Sequence, residues 1–173
     1  MPERSLRALV VYFTKTGHTA DAAHYVAEGL EGGGVETELM DVEGAEPMSA
    51  EDYDILAIGS PCHAGSMPVA GGVAAAVTDW LGNIPDRGLE GMVAGAFCPY
   101  STAGGNRTVH TLDQRLRELG AHVPEPGVAV KAGIPFSLWR GPEIGMRDAE
   151  KLRELGRAMA AAASGSDGQP EAE

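Results

Sequence analysis

The sequence predicts an α/β protein built as a doubly wound, five-stranded parallel sheet with helices on both faces. Three observations carry this expectation. Apolar runs of strand length alternate with segments whose apolar residues recur at helical spacing. The runs at 6–13, 53–60 and 91–98 are apolar at nearly every position, which suits strands buried on both sides. Polar loops follow the runs, and such sheets bind ligands outside the carboxyl ends of their strands, at the topological switch point.

Residues 6–13 open as a buried strand and 14–19 form the polar loop after it. Ala23, Val26, Ala27 and Leu30 recur at i, i+3, i+4 and i+7, an amphipathic helix that Gly32, Gly33 and Gly34 stop. Residues 35–42 alternate imperfectly, as a strand near the sheet edge would. Residues 43–54 are acidic and turn-like, and 53–60 is the next buried strand, ended by the loop 61–68. A helix with proline in its first turn is expected from 68 to about 81. Residues 91–98 are the fourth strand, and 99–105 a polar, glycine-rich loop. Val109, Leu112, Leu116 and Leu119 mark one face of the following helix, closed by Gly120. Residues 127–132 make a short fifth strand, and 134–146 an irregular excursion broken by Gly and Pro. Leu152, Leu155 and Met159 mark the last helix. One domain over 1–163, with a disordered acidic tail at 164–173, is the expected organisation.

Composition supports a folded core and narrows the partners. Hydrophobic residues make up 43% and charged residues 22% of the 173, close to the globular average. Thirteen Lys and Arg against 25 Asp and Glu leave a formal charge of −12. A surface this acidic repels phosphate backbones and anionic lipid, so no nucleic acid and no membrane is expected as a partner. A basic protein, or a small ligand held by local dipoles, fits better. Apolar runs such as 8–13 and 158–163 fall far short of the ~20 residues of a membrane helix. No charged segment followed by an apolar run opens the sequence, so secretion by a signal peptide is not expected, and Cys62 and Cys98 are too few for a disulfide scaffold and form no CxxC pair. A cytoplasmic location is expected.

The sharpest motif is Thr14-Lys15-Thr16-Gly17-His18-Thr19. It lies between a buried strand and a helix start, where backbone N–H groups and the helix dipole favour an anion. Three hydroxyls can donate, and Gly17 lets the backbone come close. The loop is neither a Walker A motif nor GxGxxG. Two readings stand: a hydroxyl-rich N-cap, which needs one threonine, and a phosphate site, which uses all three.

These residues resemble the phosphate loop of the flavodoxin family, which reads Ser/Thr-x-Thr-Gly-Asn/His-Thr. The resemblance extends to Gly59-Ser60-Pro61-Cys62-His63-Ala64-Gly65, similar to the family's second loop, and covers roughly residues 5–163. Gly104 and Gly105 before a leucine-rich helix resemble the third loop of flavodoxin-like quinone reductases. The resemblance implies strand order 2-1-3-4-5, non-covalent FMN, and one- or two-electron transfer. It assigns cofactor contacts to Thr14, Lys15, Thr16, Gly17, His18 and Thr19 in loop one. Ser60, Pro61, Cys62, His63, Ala64 and Gly65 follow in loop two, and Cys98, Pro99, Tyr100, Ser101, Gly104 and Gly105 around loop three. No catalytic side chain and no metal ligand is implied.

Two departures from the family pattern stand out. His63 occupies the place where many relatives set Trp or Tyr against the flavin, which would put an imidazole beside the ring. Acidic residues common in the third loop are missing, and Tyr100 supplies an aromatic, either stacked on the ring or packed on a neighbouring helix. Cys62 and Cys98 end strands that are adjacent in the implied order, as a redox pair or as inert packing. The 134–146 excursion is either a surface loop, a cap over the flavin or a subunit contact.

Two functions follow from the resemblance. An electron carrier, monomer or homodimer, would shuttle electrons on FMN and dock its acidic surface on a basic redox protein. The alternative is an FMN-dependent NAD(P)H:quinone or other small-acceptor oxidoreductase. The charge favours the carrier, whereas the Gly104-Gly105 loop and the 134–146 excursion lean toward the reductase.

Overall fold

The computed structural model describes residues 4–46, 52–62, 72–101, 103–132 and 143–166. Among them, strands and helices alternate in the order β1 (Arg7–Tyr12), α1 (His18–Gly32), β2 (Glu36–Asp41), β3 (Ile55–Gly59), α2 (Ala75–Gly82), β4 (Val93–Tyr100), α3 (Gly105–Glu118), β5 (Val128–Lys131) and α4 (Met146–Ser166). The five strands are parallel and lie in the order β2-β1-β3-β4-β5. Fold and strand order are those expected.

The near-continuous apolar runs are explained by burial on both sides. Ala8 and Val10 of β1, Ile55 and Ala57 of β3, and Val93 and Phe97 of β4 face α1 and α4. Leu9 and Val11, Leu56 and Ile58, and Ala94 and Ala96 face α2 and α3. Each fully buried Val, Leu or Ile contributes about 1.5–3 kcal/mol, so the inner strands anchor the sheet. Trp80 closes the second layer with its ring buried and its indole N–H donated to the Ala45 carbonyl at 2.9 Å.

Three boundaries differ from expectation, the first two through tertiary contact. The strand expected to end at Cys98 continues to Tyr100, because β5 pairs alongside it at Pro99↔Val130 and Tyr100↔Lys131. Proline has no N–H for the ladder, but the Pro99 carbonyl still accepts the N–H of Cys62 at 3.3 Å. The helix expected from 68 begins at Ala75, after the Ala74 N–H is taken by the Ser60 hydroxyl at 2.9 Å; residues 63–71 lie outside the described residues. The last helix runs to Ser166, three residues into the segment expected to be a tail. The excursion falls mostly outside the described residues, at 133–142. Its end, Ile144, is buried, whereas Met146 at the start of α4 is 91% exposed.

Candidate functional site

The chain leaves β1 through α1 toward β2 on one side and leaves β3 through α2 toward β4 on the other. The switch point therefore lies between β1 and β3, where the Phe13 N–H reaches the Gly59 carbonyl at 3.2 Å. The described starts of the three loops, at Phe13, Ser60 and Ser101, follow the carboxyl ends of β1, β3 and β4.

In loop one, Thr14 Oγ1 accepts the Gly17 N–H at 3.0 Å. Gly17 is the N-cap of α1 with φ of 95°, a left-handed conformation that costs a side-chain-bearing residue about 1–2 kcal/mol. The Gly17 carbonyl then accepts the Asp21 N–H at 3.0 Å, which starts the helix. Gly17 has no side chain with which to cap the helix, and Thr14 meets the N–H of Gly17 itself rather than one in the first turn. The N–H groups of Thr19 and Ala20, in the first turn, have no intrahelical acceptor, and the helix dipole adds roughly half a positive charge there. Lys15 and Thr16 are exposed, Thr14 is half-buried, and His18 and Thr19 are buried.

In loop two, Ser60 is fully buried. Its hydroxyl donates to the Pro61 carbonyl at 2.8 Å and accepts from Ala74 at 2.9 Å, clasping the two ends of the loop. Pro61 and Cys62 are half-buried. His63, Ala64 and Gly65 lie outside the described residues, and the expectation about the His63 imidazole lies there with them.

Around loop three, Cys98 and Pro99 are buried at the end of β4, beneath the edge rather than on it. Ser101 is exposed. Gly104 is the N-cap of α3 with φ of 92°, again with no side-chain cap. Tyr100 is half-buried, and its ring lies against Gly105 at the start of α3, which is the helix-packing reading of this residue. Thr108 Oγ1 donates back to the Gly104 carbonyl at 3.2 Å. Burial pushes the Cys98 thiol pKa well above the usual cysteine range, and Cys62 beside it pushes the same way. Both cysteines are free thiols.

Two residues with definite roles escaped the sequence reading. Thr108 is fully buried and close enough to Cys98 to oppose the rise in its thiol pKa. Asp113 is buried on α3, with Oδ2 accepting the Gly127 N–H at 2.7 Å and Oδ1 without a partner among the described residues. Its burial raises its carboxyl pKa above the ordinary value. The signal for Asp113 was available: it stands at i+4 from Val109 on the apolar stripe completed by Leu112 and Leu116. Among the described residues, no three or more His, Cys, Asp or Glu side chains are grouped to hold a metal ion, and no helix is long and apolar enough to cross a membrane.

A family model described as "Flavodoxin" matches residues 10–134. The chain is 30% identical over 160 residues to a flavodoxin of Aquifex aeolicus, covering 89% of this chain and 85% of that protein. It is 29% identical over 150 residues to the type A flavoprotein fprA of Rhodobacter capsulatus, covering 83% of this chain but 33% of that protein. It thus spans a third of that relative's length. The solved structure of rubredoxin oxygen:oxidoreductase from the anaerobe Desulfovibrio gigas superposes with a TM-score of 0.76 at 20% identity, covering 96% of this chain and 39% of that one. Sheet order and the span of the family match agree, and the chain belongs to the flavodoxin family, a family of FMN-binding proteins.

Proposed function

We propose that this protein carries electrons between redox partners on an FMN whose phosphate sits in loop one, and that its partners are basic proteins. The observation that carries the reading is the start of α1: a left-handed glycine N-cap with no side-chain cap. Donor set and charge suit a phosphate there. The first-turn N–H groups, the exposed Thr16 hydroxyl and the exposed Lys15 ammonium can all meet an anion, and charge-assisted bonds of this kind are the strong ones. Thr14 holds the turn through the Gly17 N–H rather than by reaching outward.

Bound at this edge, FMN supplies one- and two-electron transfer. The chain's own residues bind and orient. Loop one fixes the phosphate end. The Ser60 clasp draws together the ends of loop two, and the packing of Tyr100 on Gly105 sets the start of α3 beside loop three. No side chain is asked to move a proton. The formal charge of −12 supports a basic partner, because long-range attraction raises encounter rates.

Equilibrium titration with FMN and with riboflavin tests this. FMN should bind far more tightly, and Thr16→Ala should weaken FMN by about 1–3 kcal/mol with little effect on riboflavin. Equal affinity for the two flavins would remove the phosphate from loop one. Rapid NAD(P)H oxidation by the flavin-loaded protein with a quinone as sole acceptor would instead make it a reductase.

A further inference from the structure

The two cysteines converge on one carbonyl oxygen. The Cys62 N–H donates to the Pro99 oxygen at 3.3 Å, and Cys98 Sγ contacts the same oxygen at 3.5 Å. Cys62 and Thr108 both lie close enough to Cys98 to shift its thiol pKa, Cys62 upward and Thr108 downward. Cys62 is half-buried and within reach of solvent, whereas Cys98 has no exposed surface. In the reduced protein, Cys62 Sγ donates to the Ala103 carbonyl at 3.3 Å, which ties loop two to loop three.

We infer that Cys62 and Cys98 form a reversible dithiol–disulfide couple, with Cys62 the entry thiol and Cys98 the resolving thiol, that reacts with low-molecular-weight disulfides. Cys62 thiolate attacks one sulfur of the small disulfide. That S–S bond breaks, and the leaving thiolate takes a proton from water. The mixed disulfide now carries its sulfur beside Cys98. Cys98 attacks Cys62 Sγ and passes its proton to the second departing thiolate. Two protein thiols have lost two electrons and two protons, and the small disulfide has become two thiols. Burial disfavours the Cys98 thiolate, so the second step proceeds only with the leaving sulfur at hand to take its proton, and Cys98 does not react with external reagents by itself.

The register states what closing the bond does to the fold. Continuing the β3–β4 pairing from Gly59↔Phe97 puts Ser60 opposite Cys98 and Cys62 opposite Tyr100. That offset corresponds to a Cα separation of about 8 Å, from the spacing between strands and the rise along them. A disulfide needs less than about 7 Å, so Cys62 must be drawn back toward the Cys98 rung, and its bond to Ala103 is released. Oxidation therefore shifts loop two and uncouples it from loop three. A bond closed against the resting geometry is easily reduced, which is the property of a labile couple rather than a structural staple.

The test is incubation of the full-length protein with oxidised glutathione, an N-ethylmaleimide quench, and mass analysis of the intact chain and its peptides. The expected product is a chain lighter by two hydrogens that takes up no maleimide, yields a cross-linked Cys62–Cys98 peptide, and is restored by dithiothreitol. Cys98→Ser should stop at glutathione on Cys62, and Cys62→Ser, which keeps a donor for Ala103, should leave Cys98 unmodified. Glutathione retained on Cys62 of the wild-type chain would overturn the proposal. So would modification of Cys98 in Cys62→Ser, or a wild-type Cys62 thiol that still takes up maleimide after oxidation.

Discussion

Helices α1 and α4 touch through their backbones at Gly29 and Gly156, and a single methyl group there should cost more than helix propensity returns. A Cβ at Gly29 would overlap the Arg153 carbonyl, and one at Gly156 the Val26 carbonyl. Both obstacles are backbone, so no side chain can rotate away, and the helices must separate. Gly→Ala in a helix interior ordinarily gains about 1 kcal/mol. Overpacking a tight contact costs about 1–3 kcal/mol, and a clash with main chain belongs at the upper end. The net for Gly29→Ala is a loss of about 2 kcal/mol, which at a urea slope near ~2 kcal/mol/M lowers the unfolding midpoint by about 1 M. Gly32, in the same helix, has open space around it, so Gly32→Ala should be neutral or gain up to about 1 kcal/mol. The double variant Gly29→Ala with Gly156→Ala should cost less than the two singles together, since helices parted by one methyl admit the second. Urea unfolding followed by far-UV circular dichroism without added FMN measures all four chains. A Gly29→Ala midpoint at or above wild type would refute the close-contact argument.

Three further outcomes are expected. Gly17→Ala forces a side chain into the left-handed N-cap of α1 and should weaken FMN binding by about 1–2 kcal/mol, read by fluorescence quenching; unchanged affinity would detach that conformation from the phosphate. Burial raises the Asp113 carboxyl pKa, so its contribution to stability is complete below the unfolded value and is lost as pH rises through the folded one. Asp113→Asn should then flatten the wild-type loss of stability above pH ~4, and parallel urea midpoints across pH 4–7 would count against it. Association with a basic redox protein should slow by at least about tenfold from 0.05 to 0.5 M salt in stopped-flow mixing, given the charge of −12; salt-independent rates would point to a small-molecule acceptor.

Much of this protein was legible in the chain itself. Apolar runs that face no solvent on either side read as inner parallel strands wherever they occur, and the alternation with 3.6-residue periodicity leaves few topologies to choose from. The Thr14–Thr19 hydroxyls and Gly17 likewise marked a turn leading from a strand into a helix, because strand-loop-helix is a local pattern that six residues suffice to write. What the local pattern left open was how each hydroxyl, thiol and ring is spent. Nothing in the sequence near Ser60 said that its hydroxyl would accept the N–H of Ala74, fourteen residues on. Tyr100 and Pro99 looked like loop and are strand, because β5 pairs beside them. Cys62 and Cys98 stand 36 residues apart in sequence and meet at one carbonyl. Periodicity reports the average environment of a segment. The partner of a single polar atom depends on which distant backbone group comes within about 3 Å of it, and only the tertiary structure decides that.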